Sequence, residues 1–381
     1  MYLPSAFLLA VSVVVAGSLS RRVDVAVSLA AGAALYGALA LGPRALAATL
    51  SAFNYSMFNV LASLALAMAL GYLMRSRREE IAGGLSAVGS RFAAFSIPAV
   101  IGLLPMPGGA YISAVVADPL YNRMGMRPED KTFLNYWMRH IWISVWPLFQ
   151  GVLLTSAVLG ISISSVVERS WPAAVAAALA GALAGRGAVK RVEAAGRLRD
   201  LTVLWPLAAV AALSLLLPLP LAVGLALAAF VAAYRPPSSS IAAAFRYALS
   251  PRILAIITTS LIFSEYIRES GLSGQLAALL GGLAVFAAFL IPFAVGLATG
   301  VEFTFAALAF PPLHGVLAGY NLAVAFLGGF SGVMLSPAHS CLVLTLEYYK
   351  ADIRAVYRRV AAAVALAAAA MAPIYLALEL L

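Results

Sequence analysis

Residues 92–117 read FAAFSIPAVIGLLPMPGGAYISAVVA, an apolar stretch of membrane-crossing length cut at its middle by Pro105-Met106-Pro107-Gly108-Gly109. A run of about 20 apolar residues crosses a hydrocarbon core as a helix, but prolines and paired glycines at the centre prevent an unbroken one. A re-entrant helical hairpin satisfies both facts. Two half-helices of about 12 residues enter and leave on one side, and the irregular tip is tolerated because it is buried in protein or lines a cavity. Residues 275–312 have the same form, interrupted at Gly296-Leu297-Ala298-Thr299-Gly300.

Each hairpin is followed by a long apolar run with a central proline, 132–163 around Pro147 and 322–349 around Pro337. The remaining runs, 3–20, 25–41, 53–74 and 172–184, then 201–217, 219–234, 253–267 and 360–380, read as single spans. From Gly108 to Pro147 is 39 residues and from Gly300 to Pro337 is 37, so the chain divides into 1–190 and 191–381. No residue-level identity links the halves; the repeat is one of pattern. Each half holds five full crossings, an odd number, so the second half is inverted relative to the first. The expected fold is all-α and polytopic: two inverted repeats, ten transmembrane helices, two re-entrant hairpins and two broken helices.

Composition agrees. The chain is 63% hydrophobic and 10% charged, with a mean hydropathy of +0.98, far from a soluble domain. No basic segment precedes the first run (Met1-Tyr2-Leu3-Pro4), so 3–20 reads as a retained helix rather than a signal peptide. Cys341 is the one cysteine, which excludes an internal disulfide and a multi-cysteine metal site. The formal charge of +10 is topological. With the N-terminus outside, 21 of the 25 basic residues fall in cytoplasmic loops, leaving Arg44, Arg169 and Arg268 outside and Arg139 within a span. Both termini are then outside a cell membrane that the chain crosses many times, and nucleic acid is not a partner.

Inverted repeats whose broken helices meet near the midplane are the signature of secondary transporters. Broken helices free backbone groups that a substrate or ion can satisfy, and half-helix N-termini suit anions. The rival classes are an intramembrane enzyme and a passive channel. Against the enzyme, the sequence has no H-E-x-x-H, no G-x-S-x-G, no Cys/His cluster and no paired intramembrane aspartates. Against the channel stands the internal inversion, since channels line pores with rings repeated across subunits.

The stretches Leu104-Pro105-Met106-Pro107-Gly108-Gly109-Ala110, Asn135-Tyr136-Trp137-Met138-Arg139-His140-Ile141-Trp142 and Leu335-Ser336-Pro337-Ala338-His339-Ser340-Cys341-Leu342, with Glu347-Tyr348-Tyr349-Lys350-Ala351-Asp352, carry a family resemblance. The chain resembles an uncharacterised family of prokaryotic ten-span membrane proteins grouped with the ion-transporter superfamily, which includes gluconate, citrate and dicarboxylate permeases. The resemblance implies a homodimeric carrier with an elevator-like movement. Dicarboxylate carriers of that superfamily bear Ser-Asn-Thr-type cation motifs at their hairpin tips; the tips here carry none.

The expected substrate-binding residues are Pro107, Gly108 and Gly109 at the first tip, Thr299 and Gly300 at the second, Pro147 and Gln150 at the first break, and Ser336, Pro337, His339 and Ser340 at the second. Glu302 lies two residues past the second tip, near the midplane, where a carboxylate costs about 2.5–3.5 kcal/mol. It and His339 are the expected coupling residues. Arg139 and His140 are expected as a gate, with Arg139 snorkelling to the cytoplasmic interface among a belt formed by Trp137, Trp142 and Trp146. The expected partners are a small organic anion, a coupling proton with sodium as the alternative, the lipid bilayer and a second copy of the chain; no cofactor and no metal ion is called for.

Overall fold

Long runs of Ala, Leu and Val with few charges leave the helix as the arrangement that satisfies every backbone group without water. In the computed structural model, every regular element among the described residues is helical. The structure describes residues 3–19, 22–106, 108–193 and 196–380. Pro107 lies outside them.

The chain begins with α1 (Leu3–Leu19), α2 (Val25–Leu41), a short α3 (Arg44–Ala52), α4 (Tyr55–Met74) and α5 (Arg78–Val88). The first hairpin follows as α6 (Ser90–Gly102) and α7 (Gly109–Arg123), then α8 (Pro128–Arg139), α9 (Gln150–Leu159) and α10 (Ile163–Gly185). After a 3-10 segment (Leu198–Leu204) come α11 (Trp205–Leu213), α12 (Leu219–Tyr234), α13 (Ser238–Ala248), α14 (Pro251–Glu269) and α15 (Leu272–Leu280). The second hairpin is α16 (Ala284–Thr299) with α17 (Thr304–Leu308) and α18 (Phe310–Leu313), followed by α19 (Asn321–Leu335), α20 (Ser340–Tyr349) and α21 (Ile353–Glu379). Side-chain caps set several starts: Asp24, Asn54, Ser162 and Asp352 each accept a backbone N–H of the helix they open.

Several helix boundaries depart from expectation. Helices α3 and α13, read from sequence as loop, are short and half-exposed, and pack on α14 and α4. Likewise α5 is a helix where none is expected, and the incoming arm of the second hairpin, expected from 275 as a half-helix, starts with α15 at Leu272 and runs on to Thr299, a stretch long enough to cross a membrane. The outgoing arm of the second hairpin is not one half-helix but two pieces, because Pro311 and Pro312 supply no N–H to bond back to α17. Helix α10 starts at Ile163 rather than 172, capped by Ser162, with Pro172 inside it.

Four helical stretches are long and apolar enough to cross a membrane, Tyr55–Val88, Ser238–Glu269, Leu272–Thr299 and Ile353–Glu379, and α19 with α20 makes a fifth broken by a 43° bend. Large apolar side chains such as Phe58, Leu216, Phe286 and Leu290 stay exposed on the outside. The chain is a membrane protein.

Helix α2 packs on α14, and α12 on α4; α7 meets α20, and α17 meets α9; α10 lies on α19, α21 on α8, and α10 and α21 on each other. The closest pair is α16 with α19. A Cβ on Gly332 would stand 2.8 Å from the Leu297 nitrogen and 2.9 Å from the Phe293 carbonyl carbon, so the two backbones touch directly. Small residues at this spacing (Gly328 and Gly332) are how helices approach in a membrane, where dispersion replaces hydrophobic burial as the driving force.

Polar contacts tie helix ends together in two sets. One joins Asp24 to Arg252 at 2.8 Å, Lys131 to Asp118 at 2.8 Å, Asp130 to Arg359, and the Arg77 guanidinium to the Tyr234 ring at 4.3 Å. The other joins Thr49 to Tyr266 at 2.5 Å, Ser51 to Glu265 at 2.9 Å and Tyr36 to Ser270 at 2.8 Å.

Candidate functional site

Helix α8 carries polar residues into the interior and stops at Arg139; residues 140–149 form a run of turns before α9. The break therefore opens at His140 rather than at Pro147, which is half-buried within it, while Gln150 is the first residue of α9. This shift changes the meaning of the neighbouring residues. Arg139 does not snorkel: it is 9% exposed, and its guanidinium packs where a Cβ on Gly109 would lie.

Nor do the tryptophans form a belt. The last carbonyls of a helix lack intrahelical donors, and the break supplies them to α6. Trp142 Nε1 donates to Ala99 O and Trp146 Nε1 to Leu103 O, both at 3.0 Å, and Arg139 Nη1 reaches Ile101 O at 3.4 Å. Trp137 is fully buried and donates to Ala177 O at 2.8 Å. At the tip, Gly108 adopts φ 64° and ψ 20° and starts α7 with no side-chain cap, so the first N–H groups of α7 point out beside the Arg139 guanidinium. Asn135, also fully buried, donates to Ala110 O at 3.0 Å, and its Oδ1 has no partner among the described residues.

The second tip sits on the second break. Gly300 has φ 64°, and a Cβ there would lie 2.7 Å from His339 N and 2.8 Å from Ser336 Oγ, so only glycine fits. Thr299 hydrogen-bonds Val295 O at 2.8 Å and Thr304 Oγ1 at 2.5 Å. Ser336 and His339 are buried, whereas Pro337 and Ser340 face outward.

At the meeting of both breaks with the second tip, four side chains converge. His140 Nε2 is 2.9 Å from Glu302 Oε1 and 3.1 Å from His339 Nε2, and with Cys341 Sγ the donor atoms lie within 4.8 Å of one another. His140 and His339 are buried, and the Glu302 side chain is 26% exposed. The other ring nitrogens are committed: His140 Nδ1 meets Tyr136 O at 2.6 Å, and His339 Nδ1 meets Gly300 O. A carbonyl only accepts, so both Nδ1 atoms carry a proton. The Glu302 carboxylate also only accepts, so with no other cation in the site a further proton lies on His140 Nε2 toward it. With that proton displaced, two imidazole lone pairs, a carboxylate and a sulfur face one point, and that point takes positive charge.

Sequence reasoning pairs Glu302 with His339 as coupling residues and sets His140 apart with Arg139 as a gate; the structure brings His140 to that pair. The expectation of no Cys/His cluster fails, because residues 140, 302, 339 and 341 are assembled from distant segments. Tyr136 and Asn135 are missed, and Cys341, read as a lone cysteine, is given no part in the site. The signals were Tyr136 and His140 four apart on α8, and Cys341 two residues after His339.

With that geometry in hand, comparisons place the chain. A family model described as "Protein of unknown function (DUF401)" matches residues 4–378. The chain belongs to this family. No curated protein matches the sequence. Among solved structures, the crystal structure of the Alcanivorax borkumensis YdaH transporter, described as revealing an unusual topology, matches with a TM-score of 0.59. The likeness covers 87% of this chain and 88% of that one at 15% identity, and is a likeness of fold.

Proposed function

We propose that the chain is a secondary carrier of a small organic anion, a carboxylate, working by elevator-like alternation of access with a cation moving in the same cycle. The observation that carries the anion is Arg139. A guanidinium offers five N–H donors, yet this one makes a single long hydrogen bond and no salt bridge among the described residues. It lies against the uncapped N-terminus of α7, and dipole and charge there favour the same ligand. Asn135 Oδ1 nearby suits a substrate that also carries a donor, such as a hydroxyl.

The convergence of four acceptors at His140, Glu302, His339 and Cys341 supports a coupling cation, the role that sequence reading gives to a proton. A sodium ion, a hard cation that prefers oxygen, suits this set poorly. The likeness in fold to a transporter supports the carrier class.

The inverted-repeat reading, with halves 1–190 and 191–381, ten crossings and two hairpins, draws support from the packing. Counterparts exchange partners: α2 with α14 mirrors α12 with α4, and α7 with α20 mirrors α17 with α9. Each of the polar contacts between helix ends joins two segments that the order of crossings puts on the same side, which supports that order, and the basic residues of the cytoplasmic loops favour both termini outside. A homodimer, implied by the family resemblance, would hold the scaffold against which the hairpins move.

A thiol flanked by two imidazoles also favours a second reading, an intramembrane thiol hydrolase. Counterflow in proteoliposomes separates the readings. A panel of small carboxylates and hydroxycarboxylates is expected to contain one whose uptake is accelerated by the same compound inside. A channel or an enzyme shows no such trans-stimulation.

A further inference from the structure

We propose that His140, Glu302, His339 and Cys341 form a binding site for one divalent transition-metal ion of the zinc and cobalt class. The inference rests on the carrier reading for the ion's role in the cycle and names the cation that the acceptor cluster takes.

Three features of the cluster point to a metal rather than to a bare proton. The donor set comes first. Two imidazole nitrogens, one carboxylate oxygen and one thiol sulfur are the ligand types of zinc-like sites, whereas magnesium, calcium and sodium want oxygen throughout. A proton shared by His140 and Glu302 would leave Cys341 without a part to play.

The orientation of the rings comes second. Ligating histidines almost always donate the far N–H to a carbonyl or carboxylate, which fixes the tautomer and turns the other nitrogen to the metal. Both rings do so here, His140 onto Tyr136 O and His339 onto Gly300 O. The Tyr136 carbonyl belongs to the last turn of α8, and Gly300 is the tip itself. The same broken backbone that opens the site therefore aims its ligands.

Spacing and charge come third. Bonds of about 2.0–2.3 Å in a tetrahedron put ligand atoms about 3.3–3.7 Å apart. The Nε2–Nε2 distance is 3.1 Å, and no pair exceeds 4.8 Å, so closure asks for movements of about 1 Å at most. Binding displaces two protons to solvent, that of the Cys341 thiol and that held between His140 and Glu302. The ion then meets one carboxylate and one thiolate with two neutral imidazoles, a complex of zero net charge, which is the state least costly in a low-dielectric interior. Because the ligands come from both breaks and the second tip, the bound ion fastens that hairpin to both broken helices.

Cobalt(II) titration of the full-length protein in detergent tests this. One equivalent is expected to bind, with a thiolate-to-cobalt charge-transfer band in the near ultraviolet and the intense visible bands of a tetrahedral site. Cys341→Ser is expected to abolish the charge-transfer band. Glu302→Gln and His339→Gln are expected to weaken binding by about 100-fold or more, beyond the loss typical of outer-shell changes. Zinc should displace cobalt in the wild type. Gel filtration of each variant reports folding, and the wild-type titration stands without the variants. No cobalt bound to the wild type, or a spectrum unchanged in Cys341→Ser and Glu302→Gln, overturns the site. Anion counterflow by a protein that binds no cobalt overturns the metal and leaves the carrier; cobalt bound by a protein that exchanges no anion does the reverse.

Discussion

Replacing Arg139 with methionine should make the empty protein more stable and its substrate binding far weaker. Arg139 is 9% exposed, and among the described residues it makes one hydrogen bond, at 3.4 Å to Ile101 O, with no ion pair. A bond that long to a helix end contributes well under the ~1 kcal/mol of an average one. Against it stands the desolvation of an unpaired guanidinium, several kcal/mol even after relaxation. Methionine keeps most of the apolar stem and removes the charge. Exchange even of a buried ion pair for hydrophobes of similar volume is often neutral or stabilising by about 1–4 kcal/mol, and this guanidinium has no partner to lose, so the melting temperature in detergent should rise. With an anion bound, the balance reverses. Truncating one partner of a desolvated charge pair costs about 2–5 kcal/mol, and at ~1.4 kcal/mol per tenfold the apparent affinity in counterflow falls by about 30-fold to a few thousand-fold. Arg139→Lys keeps the charge but loses the planar fork, and should lie between. The alternative is that Arg139 merely caps α6. In that case Arg139→Met melts earlier and its counterflow KM stays at the wild-type value, and that pair of results would refute the anion assignment.

Further outcomes follow from the packing and the cluster. Gly332→Ala places a Cβ 2.8 Å from the Leu297 nitrogen, against backbone that cannot rotate away. It should cost about 1–3 kcal/mol, read as a lower melting temperature; an unchanged one means α16 and α19 pack less tightly than described. Glu302→Gln should abolish cation-driven accumulation while sparing anion exchange in counterflow, and undiminished accumulation removes Glu302 from coupling. Single cysteines introduced in 75–91, 185–200 and 235–252 should resist an impermeant thiol reagent applied to intact cells. Labelling of any one of these loops inverts or breaks the topology.

What the sequence reveals and what it hides divide along a physical line. Hydrophobic runs and their breakers are local, so α2, α4 and α12 fall where the pattern puts them, and both hairpin tips are visible as Gly-Gly and Gly-x-x-x-Gly within apolar stretches. Helices α3 and α13 are hidden because their length and mixed composition resemble loops, and only packing on α14 and α4 makes them helical. The position of the first break is misread because proline marks where a helix cannot continue, not where it stopped: the chain leaves α8 at Arg139, well ahead of Pro147. That error alone turns Arg139 from a buried residue at the tip into an interfacial one. The tryptophans follow the same logic, since an indole N–H satisfies an orphan carbonyl of α6 as well as it suits a headgroup.

Two opposite charges at the site show how the fold keeps both available. Arg139 and Glu302 have opposite signs and lie at the same pair of breaks, and direct pairing would neutralise both. They do not pair. Glu302 meets His140, the residue next to Arg139 in the chain, and Arg139 turns instead to the first tip at Gly109. The end of α8 enforces the separation: His140 Nδ1 is tied back to Tyr136 O, which turns the ring toward Glu302. Each charge is thereby left needing a partner from outside, the guanidinium an anion and the carboxylate cluster a cation. Filled with both, as when empty of both, the site carries no net charge, and such a site is what can be carried across the membrane at low cost. Filling with one alone leaves a net charge. Coupling between anion and cation would then follow from electrostatics, with no dedicated link between their sites, and it should weaken in step with the Arg139 charge. Arg139→Met is therefore expected to lose cation-dependent uptake as well as affinity; retained cation dependence at saturating anion would show that a separate mechanical link couples the two.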